Sequence, residues 1–137
     1  MLLKPISKFK TLVVEKYITY EIEDSIINIV DSSCRYYGSS LLGRCSGTEF
    51  LIGVKYKCPI IVSEIKELII FPTGSYKNVD TIWINPKMIF KFYNQNNRTL
   101  IEFINNKKIT LNISTRIISN QILKASRLES ILRSKNH

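Results

Sequence analysis

Glycines, hydroxyls and guanidinium groups crowd into residues 29–48 more densely than anywhere else in the chain. Gly38, Gly43 and Gly47, Arg35 and Arg44, and the hydroxyls of Ser32, Ser33, Ser39, Ser40, Ser46 and Thr48 all fall there. Such groups let backbone and short polar side chains approach an anion closely. Taken alone, the same stretch also reads as one helix stop followed by a second helix start. Residues suited to catalysis are thin by comparison. The one histidine is the terminal His137, on an end expected to be mobile. Glu21, Glu23 and Asp24 belong to a solvent-side strand pattern and a helix cap rather than to a general acid–base pair. No Gly-x-x-x-x-Gly-Lys phosphate loop occurs. Cys34, Cys45 and Cys58 are odd in number and lack Cys-x-x-Cys spacing, which supports neither a zinc site nor a disulfide framework. They read as buried free thiols in a reducing compartment. The sequence therefore supports no enzyme, cofactor or metal.

Charge points to a different chemistry. Twenty Lys+Arg against eleven Asp+Glu give +9 and a pI near 9.6 in 137 residues, which puts nucleic acid or another anionic surface first among partners. The imbalance is uneven: residues 105–137 carry seven basic side chains and only Glu129, whereas the first 31 residues hold four lysines against five acids. With 45% hydrophobic and 23% charged residues, the chain has the composition of one globular domain large enough to bury its own core. No run of about 18 apolar residues suggests a membrane span. The first residues, Met-Leu-Leu-Lys-Pro-Ile, do not form a secretory signal, so the expected location is the cytoplasm.

The elements that must position these groups follow from periodicity. Thr11–Glu23 alternates as strand, with an irregularity near Lys16. Asp24 or Ser25 can cap a helix with apolar residues at 26, 29, 30, 34 and 37, stopped by Gly38. Ser39 or Ser40 offers a second cap, for a helix over Leu41–Ile52 that ends at Gly53. There Gly43 and Gly47 share a face beside Arg44 and would admit another backbone; the alternative for this segment is an ordered loop. Ile60–Val62 and Leu68–Phe71 form a hairpin buried on both faces, 73–80 a loop, and Thr81–Ile84 a further strand. Met88–Tyr93, Thr99–Ile104 and Lys108–Ile113 make a meander with asparagine turns. Ser114 caps a final helix from Thr115 to about Arg133, with an apolar stripe of Ile118, Ile122, Ala125, Leu128 and Leu132 opposite Arg116, Asn120, Lys124 and Arg127. The fold class expected is α+β, a mostly antiparallel sheet with helices in the N-terminal half and an amphipathic C-terminal helix.

On this frame Arg35, Arg44, Lys55 and Lys57 flank the Gly/Ser-rich stretch. An arginine there could enter a narrow electronegative groove while amides and serine hydroxyls hold adjacent phosphates. The pattern Cys34-Arg-Tyr-Tyr-Gly-Ser-Ser-x-x-Gly-Arg-x-x-Gly-Thr48 is followed by Lys57-x-Pro-Ile-Ile-Val62, Ile69-x-Phe-Pro-Thr73 and Trp83-Ile84-Asn85. In order and spacing these blocks closely resemble the competence transcription factor (ComK) family of low-GC Gram-positive bacteria, from about Ile29 to Leu128. The first 28 residues match only loosely.

The resemblance implies an activator of competence and DNA-uptake genes that binds A/T-rich boxes of double-stranded DNA, largely through the minor groove. It implies a homodimer or higher oligomer on DNA, with RNA polymerase a candidate partner. Combined with the residue reading, it places Arg35, Ser39, Ser40, Gly43, Arg44 and Gly47 at the DNA. Lys55, Lys57, Lys107, Lys108, Arg116, Lys124 and Arg127 supply phosphate contacts. Longer family members extend past the last helix into a tail used for capture by a proteolytic adaptor and for assembly; this sequence stops at His137, so adaptor capture is not part of the expectation. Two other readings are weighed against this one. One is a shortened interaction protein that pairs with a full-length regulator without activating transcription. The other is an RNA-binding module using Tyr36, Tyr37, Phe90, Phe92, Tyr93 and Phe103 as stacking platforms.

Overall fold

In the computed structural model, residues 1–135 are described, and His137 lies outside them. Three strands open the chain: β1 (Leu2–Ser7), β2 (Lys10–Val14) and β3 (Thr19–Ile22). The irregularity expected near Lys16 is the turn between β2 and β3, closed by Glu15 N–H donating to the Ile18 carbonyl at 2.8 Å. β1 has no counterpart among the sequence expectations, because Lys4 and Pro5 interrupt its apolar pattern. It nonetheless lies inside the sheet, pairing Leu2 with Val14 on one side and Ile84 on the other.

Two helices follow, α1 (Ile26–Tyr36) and α2 (Leu41–Ile52). The Ser25 hydroxyl accepts from Asn28 N–H to start α1, and Gly53, at φ +73°, ends α2 in the left-handed conformation that glycine adopts without steric penalty. β4 (Ile60–Ser63) and β5 (Leu68–Pro72) form the hairpin, and β6 (Trp83–Ile84) is shorter than the Thr81–Ile84 strand expected. The order β3-β2-β1-β6-β5-β4 gives a six-stranded sheet with antiparallel pairings throughout. After one 3-10 turn, β7 (Ile89–Gln95), β8 (Arg98–Phe103) and β9 (Lys108–Leu111) make a separate three-stranded meander. Its turns place Asn96, Asn97 and Asn106 at positive φ, as the asparagine-rich sequence predicts. The last helix, α3, spans Thr115–Lys135.

Neighbouring side chains on a strand point to opposite faces, and here both faces are apolar. Leu3, Val13, Ile60, Ile70 and Trp83 pack with Val30 and Cys34 of α1. Their neighbours Leu2, Val14, Phe71 and Ile84 instead meet Ile101 and Phe103 of the small sheet and Ile118 of α3. Farther along, Ile61 and Ile69 meet Ala125, Leu128 and Leu132. The large sheet is thus held between α1 on one face and α3 with the small sheet on the other. One position of the α3 stripe differs from the expectation: Ile122 is only partly buried, and Gln121, 1% exposed, takes an inside place. Its carboxamide is tolerated there because it has backbone carbonyls to donate to.

Candidate nucleic-acid interface

The corner between α1 and α2 is built by local hydrogen bonding. Gly38, at φ +89°, turns the chain after α1, and Ser39 N–H returns to the Cys34 carbonyl at 3.0 Å. The Ser40 hydroxyl then caps α2 by accepting from Gly43 N–H at 3.0 Å. Asp31 ties the two helices together: one carboxylate oxygen accepts from Arg35 Nε at 2.7 Å and the other from Leu41 N–H at 2.9 Å. The guanidinium first, and then that N–H, hold the Asp31 carboxyl below the usual carboxylate range. Arg35 itself remains two-thirds exposed.

Gly43 and Gly47 have different surroundings. A Cβ at Gly43 would sit 2.8 Å from Ser39 Oγ and 3.2 Å from Ser40 Oγ, so this glycine makes room for the serines before the helix rather than for a second backbone. At Gly47 nothing lies within 4 Å, which leaves that part of α2 open. Arg44 folds down beside them, its side chain only 17% exposed, with Nη1 3.7 Å from Glu64 in the β4–β5 turn. Its Nε is buried without a hydrogen-bond partner. Ser39, Gly43, Arg44, Gly47 and Glu64 thereby share one shallow recess of about 170 Å³.

A second group gathers where the chain leaves α2. Lys55, Tyr56 and Lys57 are exposed, with Lys55 4.0 Å from Glu49 and Lys57 at φ +51°. The Lys57 carbonyl is held by Gln121 Nε2 at 2.9 Å, which fixes this loop against α3. Lys124 lies close enough to Cys58 to favour its thiolate, although burial dominates and raises that thiol's pKa. Across a cleft of about 440 Å³ from Lys55 and Lys57 stand Tyr76 and Lys77. In the sequence these two fall within the 73–80 loop and carry no site expectation. A repeated Tyr-Lys pair, at 56–57 and again at 76–77, was the available signal.

The remaining candidates are dispersed. Arg116 and Arg127 are exposed on α3 and form no ion pair among the described residues. Lys107 Nζ donates to Thr19 Oγ1 at 2.6 Å, and Lys108 pairs with Glu102 at 3.2 Å. Both border a different cleft with Lys4 and Leu12, so they do not join the group around α2. The aromatics considered for base stacking also divide. Tyr36, Phe90 and Tyr93 are exposed, Tyr37 and Phe92 are half-buried, and Phe103 belongs to the core. Cys34 and Cys58 are buried and Cys45 half-buried; burial, with smaller contributions from the neighbouring thiols, pushes Cys45 up to about 11. None of the three is primed as a nucleophile. No described helix is long and apolar enough to cross a membrane.

Comparison with known proteins covers the whole chain. The family model described as "ComK protein" matches residues 1–137, including the N-terminal strands where the motif resemblance was loose. The competence transcription factor of Bacillus subtilis (strain 168) is 30% identical over 124 residues, which is 90% of this chain and 65% of that protein. The match thus spans just under two thirds of that relative's length. No solved structure matches.

Proposed function

The chain belongs to the ComK family, and from that membership we propose that it is a DNA-binding regulator of transcription that activates competence and DNA-uptake genes. It recognises A/T-rich boxes of duplex DNA through the minor groove, acting as a homodimer or higher oligomer, with RNA polymerase as a further partner. The observation that carries this reading is the family match over residues 1–137. The surface supports it in three ways. A net charge of +9 supplies the sequence-independent attraction to phosphates. The open face of α2 at Gly47 lets a sugar–phosphate backbone approach the helix closely. Arg35 and Arg44, at the two sides of the corner, are arginines of the kind that enter a narrow minor groove. Lys55, Lys57, Lys124, Arg116 and Arg127 then hold phosphates, whereas Lys107 and Lys108 serve a separate surface.

Fluorescence anisotropy of the pure protein on an A/T-box duplex and on a G/C-rich duplex of equal length tests the proposal. Tighter binding to the A/T-box by at least tenfold, with affinity falling steeply as salt rises, is the expected result. Equal affinity for both duplexes removes sequence recognition. Absence of specific binding alone, with inhibition of a longer homologue on mixing, favours an interaction protein that modulates a regulator. Preference for single-stranded RNA favours the stacking alternative.

A further inference from the structure

The cleft between the start of α2, the loop after it and the 73–80 loop combines features that phosphate contacts leave unexplained. Its volume, about 440 Å³, is that of small-molecule sites rather than of a surface groove for backbone phosphates. Leu41, Cys45, Cys58 and Trp83 give it an apolar wall. Trp83 is 1% exposed, yet its indole N–H has no hydrogen-bond partner. A buried donor without an acceptor is unfavourable, and it makes the indole N–H a sensitive reporter of changes in the adjoining wall. Lys55, Lys57 and Lys77 line the same cleft, while no acidic side chain among the described residues does. The nearest countercharge to any of these lysines is Glu49, 4.0 Å from Lys55.

We propose that this cleft binds a small amphiphilic anion: an apolar, aryl-like body against the Trp83 wall and a carboxylate among the three lysines. The apolar wall favours the body of such a ligand, and the lysines supply the charge complement that a neutral molecule would not use. Tyr56 and Tyr76, on the two sides of the mouth, offer flat apolar faces with hydroxyls at their tips.

Trp83 is the only tryptophan, so the ¹⁵N-labelled chain has a single indole N–H resonance to follow. Titration with 2-naphthoate is expected to move that resonance saturably, whereas the neutral 2-naphthamide binds at least fivefold more weakly. The double variant Lys57→Ala/Lys77→Ala, both exposed positions, weakens naphthoate at least fivefold, and Arg98→Ala, at the start of β8 and outside the cleft lining, leaves it unchanged. An unmoved indole resonance, equal binding of acid and amide, or no loss in the double variant overturns the proposal. So does a resonance that only oligonucleotides move, because the cleft would then belong to the DNA contact. The naphthoate and naphthamide titrations are run without DNA, and the oligonucleotide titration separately, so small-molecule binding is read independently of whether the chain recognises A/T-rich boxes.

Discussion

Gln121 on α3 holds the backbone of Lys57, more than sixty residues away, by donating from Nε2 to its carbonyl at 2.9 Å. The same nitrogen donates to the Pro72 carbonyl at 2.7 Å, so one carboxamide fastens the lysine loop and the end of β5 to the last helix. Replacing it by leucine keeps the volume roughly constant but leaves two carbonyls without their donor. The loss is expected at about 1–3 kcal/mol, moderated because Gln121 Oε1 is itself unpartnered. Urea denaturation of Gln121→Leu checks this as a lower midpoint at unchanged slope. DNA affinity should fall too, since Lys57 loses its anchor.

Asp31 makes the α1–α2 corner sensitive to acid. Its carboxyl is held below its ordinary value in the folded chain, chiefly by Arg35 and then by Leu41 N–H. A depressed folded-state pKa means that the stabilisation is present above the unfolded value, near 3.9, and is lost as pH falls through the folded value. Asp31→Asn should therefore be less stable than the parent at pH 7, with the difference shrinking below about pH 4. Thermal melts of both proteins from pH 7 to pH 3 measure it. A difference independent of pH would remove the ion pair as its cause.

The limits of the two helices were legible because their signals are local: Ser25, Ser40, Gly38 and Gly53 act within one turn of where they stand. β1 was not, because Pro5 and Lys4 obscure a strand whose place is decided by pairing with β2 and the distant β6. The interface divides in the same way. Arg35 meets Asp31 one turn earlier, a pairing that spacing allows. Arg44 meets Glu64 from the β4–β5 turn, and Lys77 and Lys55 line one cleft; both arrangements depend on tertiary packing that no motif records.

Gly47 separates stability from function. A methyl group there meets no atom within 4 Å, and alanine is favoured over glycine inside a helix. Gly47→Ala should stabilise the chain by about 0.5–1 kcal/mol. If the open face of α2 is where a DNA backbone approaches, the same methyl group intrudes on it and weakens specific binding. Paired measurement of the melting temperature and of A/T-box affinity is the check, with the two expected to move in opposite senses. A rise in stability with unchanged affinity would place the DNA elsewhere.

The most specific expectation concerns Arg44 and its partner. In the free chain the guanidinium is drawn toward Glu64, at 3.7 Å, with Nε left unsatisfied, a loosely held arrangement that a phosphate or base edge can outcompete. To enter a minor groove the side chain must leave Glu64, and the carboxylate opposes both that departure and the approach of DNA. Glu64→Gln should thus tighten A/T-box binding severalfold, whereas Arg44→Ala should abolish most of the preference for A/T-rich over G/C-rich duplex, by about 1–3 kcal/mol. Lys124→Ala, at a phosphate-holding position, should weaken both duplexes alike and reduce the salt slope by about one. Anisotropy titrations of the three variants at several salt concentrations distinguish these outcomes. Retention of full A/T preference by Arg44→Ala would show that Arg44 is held by Glu64 for the fold alone, leaving Arg35 as the arginine of this corner that reads the groove.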